Sequence, residues 1–186
     1  MTSRPAVFLD RDGVINQAEI RDGAPRPPRD LEDFVLLPGV VEAVHLLRRA
    51  GFAIVIVTNQ PDVARGDQRR SVVEAMNELV RQALEPDRID VCYHDEADGC
   101  DCRKPAPGML LAAAKDLALD LSASFMVGDR WRDIDAGRQA GCRTIFVDRG
   151  YAERQPAAPD AVVADLPEAV AWITTNVTQN QEARSA

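Results

Sequence analysis

The chain has 186 residues, with 22 Lys and Arg against 30 Asp and Glu, a formal net charge of −8. That length fits one domain with a sizeable core, and the acidity, without any basic stripe, argues against a nucleic-acid surface. No apolar run approaches the roughly 20 residues that span a bilayer, and Met1-Thr2-Ser3-Arg4-Pro5 leads straight into a strand without signal-peptide character, so a cytoplasmic protein free of membrane contact is expected.

Ala6 to Leu9 is apolar without alternation, as in a short strand buried on both faces of a parallel sheet. It stops on Asp10-Arg11-Asp12-Gly13. Two carboxylates facing one small volume repel each other unless a cation lies between them or one holds a proton. By strand alternation Arg11 should point away from both. Val14 to Asp33, with Ala24-Pro25-Arg26-Pro27-Pro28 at its centre, fits no core helix and reads as a surface loop or a short flap over the site. It leaves no room for a large cap domain. Pro38-Gly39 opens a helix with Val40, Val41, Val44 and Leu47 at helical spacing and Gly51 just past its end.

Phe52 to Val57 is a second buried strand, ending on Thr58-Asn59-Gln60. Pro61 to Asp67 reads as a loop, followed by a helix from about Gln68 to Ala83, and Ile89 to Tyr93 as a third strand. Pro105 to Gly108 leads into a helix through Leu117, with proline near the first turn where its missing N–H does no harm. Ser124 to Val127, ending on Gly128-Asp129, and Thr144 to Val147, ending on Asp148, are further strands around a helix from Ile134 to Ala140. Ala161 to Val163 can add an edge strand, and Pro167 to about Thr174 a last helix, with residues 176–186 a frayed tail. Strands alternating with helices imply right-handed crossovers and an α/β, three-layer Rossmann-like fold: a mostly parallel sheet with helices on both faces.

In such sheets ligands bind at the carboxyl ends of the strands. Asp10, Asp12, Thr58 and Asp129 should gather there, joined by Lys104. Carboxylates with a lysine, a threonine and exposed backbone N–H groups suit a phosphate with Mg²⁺, a cation that prefers hard oxygen ligands. One aspartate can attack phosphorus while the other passes a proton to the leaving oxygen. Only two histidines exist: His45 lies on a helix far from the acids and His94 among cysteines, so acid–base work falls to a carboxylate.

Asp10-Arg11-Asp12-Gly13-Val14-Ile15-Asn16, Thr58-Asn59-Gln60, Arg103-Lys104-Pro105 and Gly128-Asp129 with Asp133 resemble, in order, the four motifs of the haloacid dehalogenase-like phosphohydrolases. The resemblance covers nearly the whole chain. It implies that Asp10 is the nucleophile that becomes an aspartyl-phosphate and Asp12 the acid, then base. It further implies that Thr58 and Lys104 hold the phosphoryl oxygens, and Asn59 and Gln60 are expected as further substrate or phosphate contacts. Asp10, the backbone carbonyl of Asp12 and Asp129 would ligate Mg²⁺, with Asp133 supporting from behind.

Cys92, His94, Cys100 and Cys102 supply three thiolates and an imidazole, the soft ligand set of a closed tetrahedral Zn²⁺ site, and Cys100 and Cys102 are too close for easy disulfide pairing. A zinc loop over 92–102 would deliver Arg103 and Lys104 rigidly within a single domain of residues 1–175. The loop is similar to that of the heptose bisphosphate and histidinol-phosphate phosphatases. Ala64-Arg65-Gly66, Pro107-Gly108-Met109 and Phe125-Met126-Val127-Gly128-Asp129 look closer to the heptose group, while Pro61-Asp62-Val63 departs from its usual Ser-Gly-Ile. A monomer is expected, and the resemblance implies a small phosphorylated sugar as substrate, cleaved at the 7-phosphate of the heptose bisphosphate. The alternatives are histidinol phosphate or, from another class, a receiver-like domain phosphorylated on aspartate. Arg103 and Arg130 are candidate substrate contacts. Arg130 could equally form a surface ion pair, Arg65 could bind phosphate or face solvent, and Trp131 could wall the pocket or pack.

Overall fold

The computed structural model describes residues 3–21 and 23–185, the last eight of them as backbone only. β1 (Ala6–Leu9) leads into a hairpin of β2 (Glu19–Arg21) and β3 (Ala24–Arg26), then α1 (Val40–Arg49), β4 (Ala53–Asn59), a single turn α2 (Asp62–Arg65), α3 (Arg70–Leu84) and β5 (Arg88–Cys92). After α4 (Gly108–Leu117) come β6 (Phe125–Gly128), α5 (Trp131–Ala140), β7 (Arg143–Val147), β8 (Ala161–Val163) and α6 (Leu166–Ser185).

Six strands form one parallel sheet in the order β5-β4-β1-β6-β7-β8. The chain builds outward from β1 to β4 and β5, then crosses back to lay β6, β7 and β8 on the other side. This reversal opens a crevice at the carboxyl ends of β1 and β6. The period-two alternation of β1 sends its side chains to two cores. Val7 and Leu9 pack with α1, α6 and the C-terminal half of α3, whereas Ala6 and Phe8 pack with α4 and α5. Each fully buried Leu, Ile or Phe of these layers contributes roughly 1.5–3 kcal/mol. In α1 the buried residues are Val40, Ala43, Val44 and Leu47, one stripe at the i, i+3, i+4, i+7 spacing. Among the described residues no helix is long and apolar enough to cross a membrane.

The structure departs from the sequence-based expectation at four places. The segment before α1 is neither bare loop nor helix but the β2–β3 hairpin, paired Glu19 to Arg26 and Arg21 to Ala24. The expected loop after Gln60 holds one helical turn, α2, closed by Gly66 in the left-handed region. α5 starts at Trp131, three residues before Ile134, because the Asp133 carboxylate accepts the Arg130 N–H at 3.0 Å and so satisfies a free donor at the helix start. α6 runs to Ser185 instead of stopping near Thr174: no Gly or Pro interrupts it after Pro167, and Gln, Glu, Ala and Arg favour helix, so the expected tail is helical as far as it is described. Ala186 lies outside the described residues.

Candidate active site

Three strand ends and one loop converge on the crevice. Asp10 follows β1 and its N–H donates to the Val127 carbonyl of β6 at 3.0 Å, which ties the two strand ends together. Thr58 is the penultimate residue of β4, Asp129 follows β6, and Lys104 comes from the loop before α4. The Lys104 ammonium, 1% exposed, lies 2.6 Å from Asp10 Oδ1 and 2.6 Å from Asp133 Oδ1, and donates to the Val57 carbonyl at 2.7 Å. Asn59 fixes that lysine from outside: its amide donates to the Lys104 carbonyl at 2.9 Å, and its carbonyl accepts the Lys104 N–H at 3.1 Å. Asp10, Asp129 and Asp133 each bring a carboxylate oxygen within 4.8 Å of the others.

So much buried acid perturbs protonation. Burial pushes Asp10 up to about 6 against the pull of Lys104, with Asp133 and Asp12 adding repulsion. Burial also lifts Asp129 well above the carboxylate range, helped by Asp10 and Asp133. For Lys104 burial works toward the neutral amine, but Asp10 and Asp133 together outweigh it and hold the ammonium above its ordinary range. A crowd of carboxylates with one cation among them is short of positive charge.

Asp12 is held apart from this crowd, and here the expectation for Arg11 was wrong. The strand ends at Leu9, so alternation no longer governs residue 11. Its guanidinium, fully buried, turns back onto Asp12: Nη2 donates to both carboxylate oxygens at 3.0 Å and Nε to Oδ1 at 3.3 Å, while Nη1 donates to Asn77 Oδ1 at 2.8 Å. Asn16 donates to Asp12 Oδ1 at 3.0 Å and Gln60 to Oδ2 at 2.7 Å. Gln60 is fully buried and also donates to Thr58 Oγ1 at 2.9 Å, so it positions two site residues and is not itself the phosphate contact expected.

Asp129 is positioned through Gly13 and through Tyr151, a residue outside the four motifs. Gly13 has φ of +91°, and a Cβ there would lie 1.8 Å from Asp129 Oδ2, so no other residue fits. Tyr151 donates its hydroxyl to that oxygen at 2.8 Å, and Arg149 donates to the Gly13 carbonyl at 2.9 Å. Both follow Asp148 at the end of β7, where the strand-end rule would have found them. Asp129 Oδ1 is buried and has no hydrogen-bond partner among the described residues. A bare carboxylate oxygen facing two other acids fits a cation.

A small cleft of about 60 Å³ opens over Asp10, Asp12, Thr58 and Lys104. Pro25, Arg26 and Pro27 of the hairpin form part of its wall, which makes that segment a flap; Arg130 and Arg132 come from the start of α5. Arg130 is engaged by Glu153 at 2.5 Å. Arg65 is spent on Asp95 at 2.5 Å and Asp62 at 3.3 Å, linking α2 to the cysteine loop. The guanidiniums of Arg132 and Arg154 each lie over the Trp131 ring, 4.5 and 4.4 Å from its centroid. Arg103 donates to the His94 carbonyl at 3.2 Å.

Cys92, at the end of β5, comes together with His94, Cys100 and Cys102, all four donor atoms within 4.8 Å of one another. Their Sγ–Sγ separations are 3.1 to 3.7 Å, and His94 Nδ1 lies 3.3 Å from Cys102 Sγ. None of the cysteines is in a disulfide. The loop is clamped to α4 where the Gly108 N–H donates to the Asp101 carbonyl at 2.9 Å; a Cβ at 108 would sit 2.2 Å from that oxygen. Cys142 is buried elsewhere, in the core beneath α5.

An aspartate pair after the first strand of such a sheet, with a lysine and an acid pair from later loops, is the working arrangement of one hydrolase class, and the chain belongs to it: the haloacid dehalogenase-like hydrolases. Residues 101–169 match the family model described as HAD-hydrolase-like. Among curated relatives, the D-glycero-beta-D-manno-heptose-1,7-bisphosphate 7-phosphatase of Photorhabdus laumondii is 40% identical, covering 91% of this chain and 96% of its own. The D-glycero-D-manno-heptose-1,7-bisphosphate 7-phosphatase of Thermosynechococcus vestitus is 39% identical over 94% of this chain and 97% of its own. The crystal structure of D,D-heptose 1,7-bisphosphate phosphatase from B. bronchiseptica, complexed with magnesium and phosphate, superposes with a TM-score of 0.76 at 31% identity, covering 92% of this chain and 99% of that one.

Proposed function

We propose that this protein is a cytoplasmic, Mg²⁺-dependent phosphatase that removes the 7-phosphate of D-glycero-D-manno-heptose 1,7-bisphosphate through an aspartyl-phosphate on Asp10. The observation that carries the reading is the buried group of Asp10, Lys104 and Asp129, with Asp129 Oδ1 left without a partner among the described residues. Asp10, the Asp12 carbonyl and Asp129 are the residues that would hold Mg²⁺, with Asp133 supporting them. When bound, the ion supplies the positive charge that this site lacks and offsets charge on the phosphoryl oxygens.

The chain's own groups then divide the work. Lys104 and Thr58 bind phosphoryl oxygens. An Asp10 carboxylate oxygen attacks phosphorus, the bond from phosphorus to the sugar oxygen breaks, and Asp12 gives that oxygen a proton. In the second half Asp12 takes a proton from water, whose oxygen attacks phosphorus; the bond to Asp10 breaks and phosphate leaves.

The three thiols and His94 are proposed to hold a structural Zn²⁺. A tetrahedron with Zn–S bonds of about 2.3 Å has edges of roughly 3.8 Å, near the upper end of the separations found here. Such a site closes on protein ligands alone, and thiols kept for metal belong in a reducing compartment.

The test is turnover by the purified protein with Mg²⁺ on both anomers of the heptose bisphosphate and on histidinol phosphate, beside Asp10→Asn. Preference for the bisphosphate and loss of turnover in a folded Asp10→Asn support the reading. Preference for histidinol phosphate overturns the substrate, and residual turnover in Asp10→Asn overturns covalent catalysis.

A further inference from the structure

Thr58 can hold a phosphoryl oxygen only if its hydroxyl donates, and a hydroxyl rotor can equally turn so as to present lone pairs. Its neighbour decides which. Gln60 is fully buried, and one atom of it, Nε2, reaches both Asp12 Oδ2 at 2.7 Å and Thr58 Oγ1 at 2.9 Å. The amide cannot be reversed, because its carbonyl would then face the Asp12 carboxylate, acceptor against acceptor. With one N–H given to each partner, Thr58 Oγ1 accepts from Gln60 and its own hydrogen is directed elsewhere. Thr58 is 1% exposed and lines the cleft beside Asp10 and Lys104, and no acceptor among the described residues takes that hydrogen. It is left for a ligand in the cleft.

The arrangement carries a cost that packing alone does not explain. Gln60 Oε1 is buried and has no hydrogen-bond partner among the described residues, a state that protein interiors avoid. An apolar side chain would escape that cost, so the amide is kept for its nitrogen. A planar NH2 group supplies two donors in fixed directions without charge, whereas Lys or Arg in its place would add a cation beside Asp12. The main chain is braced as well: the Gln60 N–H donates to the Cys92 carbonyl at 2.7 Å, which ties the residue after β4 to the end of β5 where the cysteine loop begins.

We propose that Gln60 is a positioning residue that makes Thr58 an obligate hydrogen-bond donor to the transferring phosphoryl group, while the same nitrogen holds Asp12 for proton transfer. The proposal rests on the phosphatase reading above and deepens it. One amide nitrogen registers the phosphoryl-binding hydroxyl against the carboxylate that moves the proton. It also excludes the Thr58 rotamers that would turn lone pairs toward an anionic oxygen, so no reorientation is needed when phosphate arrives.

The experiment takes wild type, Thr58→Val, Gln60→Met and the double variant, all with Mg²⁺, and measures the Kd of inorganic phosphate by calorimetry and kcat on an aryl phosphate. Thr58→Val should weaken phosphate about tenfold to hundredfold, the size of one hydrogen bond to a charged group. Gln60→Met should weaken it about threefold to tenfold when Thr58 is present, and by less than about twofold once position 58 is Val. Its loss of kcat should persist in both backgrounds, because Asp12 loses a donor in each. A role confined to packing would lower Tm and leave phosphate affinity alone. Gln60→Glu keeps the shape but offers at most one donor, and its oxygens accept the Thr58 hydrogen, so it should weaken phosphate toward the Thr58→Val level. Equal weakening by Gln60→Met in both backgrounds, or none in either, refutes the orientation of Thr58 while the proposed function stands. If Thr58→Val binds phosphate as wild type does, Thr58 is no phosphoryl contact and that part of the proposed function fails, the role of Gln60 with it. Should Gln60→Met not fold, an unchanged phosphate affinity in Gln60→Glu refutes the role of Gln60 alone.

Discussion

Arg11 is a buried cation whose side-chain hydrogen bonds go to Asp12 and Asn77, so replacing it tests whether Asp12 is positioned or merely present. In Arg11→Met, Asn77, 5% exposed, loses the donor to its Oδ1, which costs about 1–2 kcal/mol for an unsatisfied buried carbonyl. Asp12 loses a forked partner but keeps Asn16 and Gln60 and is 14% exposed, so its share is about 2 kcal/mol, below the roughly 3–5 of a fully buried pair. The total of about 3–4 kcal/mol should lower Tm by roughly 6–16 °C for a chain of this size. Because general acid–base catalysis is worth roughly 10²–10⁴, a misplaced Asp12 should also lower kcat about tenfold to hundredfold. Thermal unfolding and steady-state turnover on an aryl phosphate measure the two effects. Arg11→Met with Asn77→Leu removes both buried partners and should be less destabilised than the sum of the single changes, by about 1 kcal/mol. A Tm within a degree or two of wild type together with unchanged kcat would refute the clamp.

Gly13→Ala forces a left-handed residue to carry a Cβ 1.8 Å from Asp129 Oδ2; displacement of that carboxylate should raise the Mg²⁺ concentration needed for half-maximal rate at least tenfold, and unchanged Mg²⁺ dependence would count against Asp129 as a ligand. Elemental analysis should find about one zinc per chain, and Cys102→Ser or a strong chelator should lower both Tm and kcat, because Lys104 is two residues beyond Cys102; a metal-free protein with the same Tm would exclude the site. Asp87 accepts the Ile54 N–H at 2.8 Å and Arg4 at 2.5 Å, and although burial works the other way these bonds hold its carboxyl below the usual range. A depressed folded-state pKa means stabilisation that is complete above the ordinary carboxylate value and lost as pH falls through and below it, so Asp87→Asn should flatten the acid limb of stability below about pH 4. Urea midpoints from pH 3 to 7 would show this, and parallel curves would remove Asp87 as a source of acid sensitivity.

Most of the architecture was legible in the sequence, because strands buried on both faces lack alternation and announce themselves as apolar runs. β8 was placed at Ala161–Val163 and α4 through Leu117, as found. The departures fall where local pattern competes with a distant or unpatterned term. α5 begins early because a side chain three residues into it caps its own start, and α2 is a single turn whose only signal is Gly66. β2–β3 carries Pro25 in a strand, which propensity alone would disfavour, and it is tolerated because among the described residues no third strand pairs with the hairpin to demand that N–H.

The site divides differently. Groups that end strands were foreseen together, since topology alone carries Asp10, Thr58 and Asp129 to one edge. Groups that hold them were not. Arg11 could not be placed by alternation once the strand had stopped, and Gln60 looked like a ligand contact until its full burial set it beneath Asp12 and Thr58. Tyr151 and Arg149 lay one residue or a few beyond Asp148, where the same edge rule applied but no acid pair drew attention. A single sequence shows which chemistry a strand end offers; which neighbour fixes its orientation depends on contacts 22 to 136 residues away, as for Tyr151 with Asp129 and Arg149 with Gly13. The positioning residues are therefore where substitution experiments carry the most new information about this site.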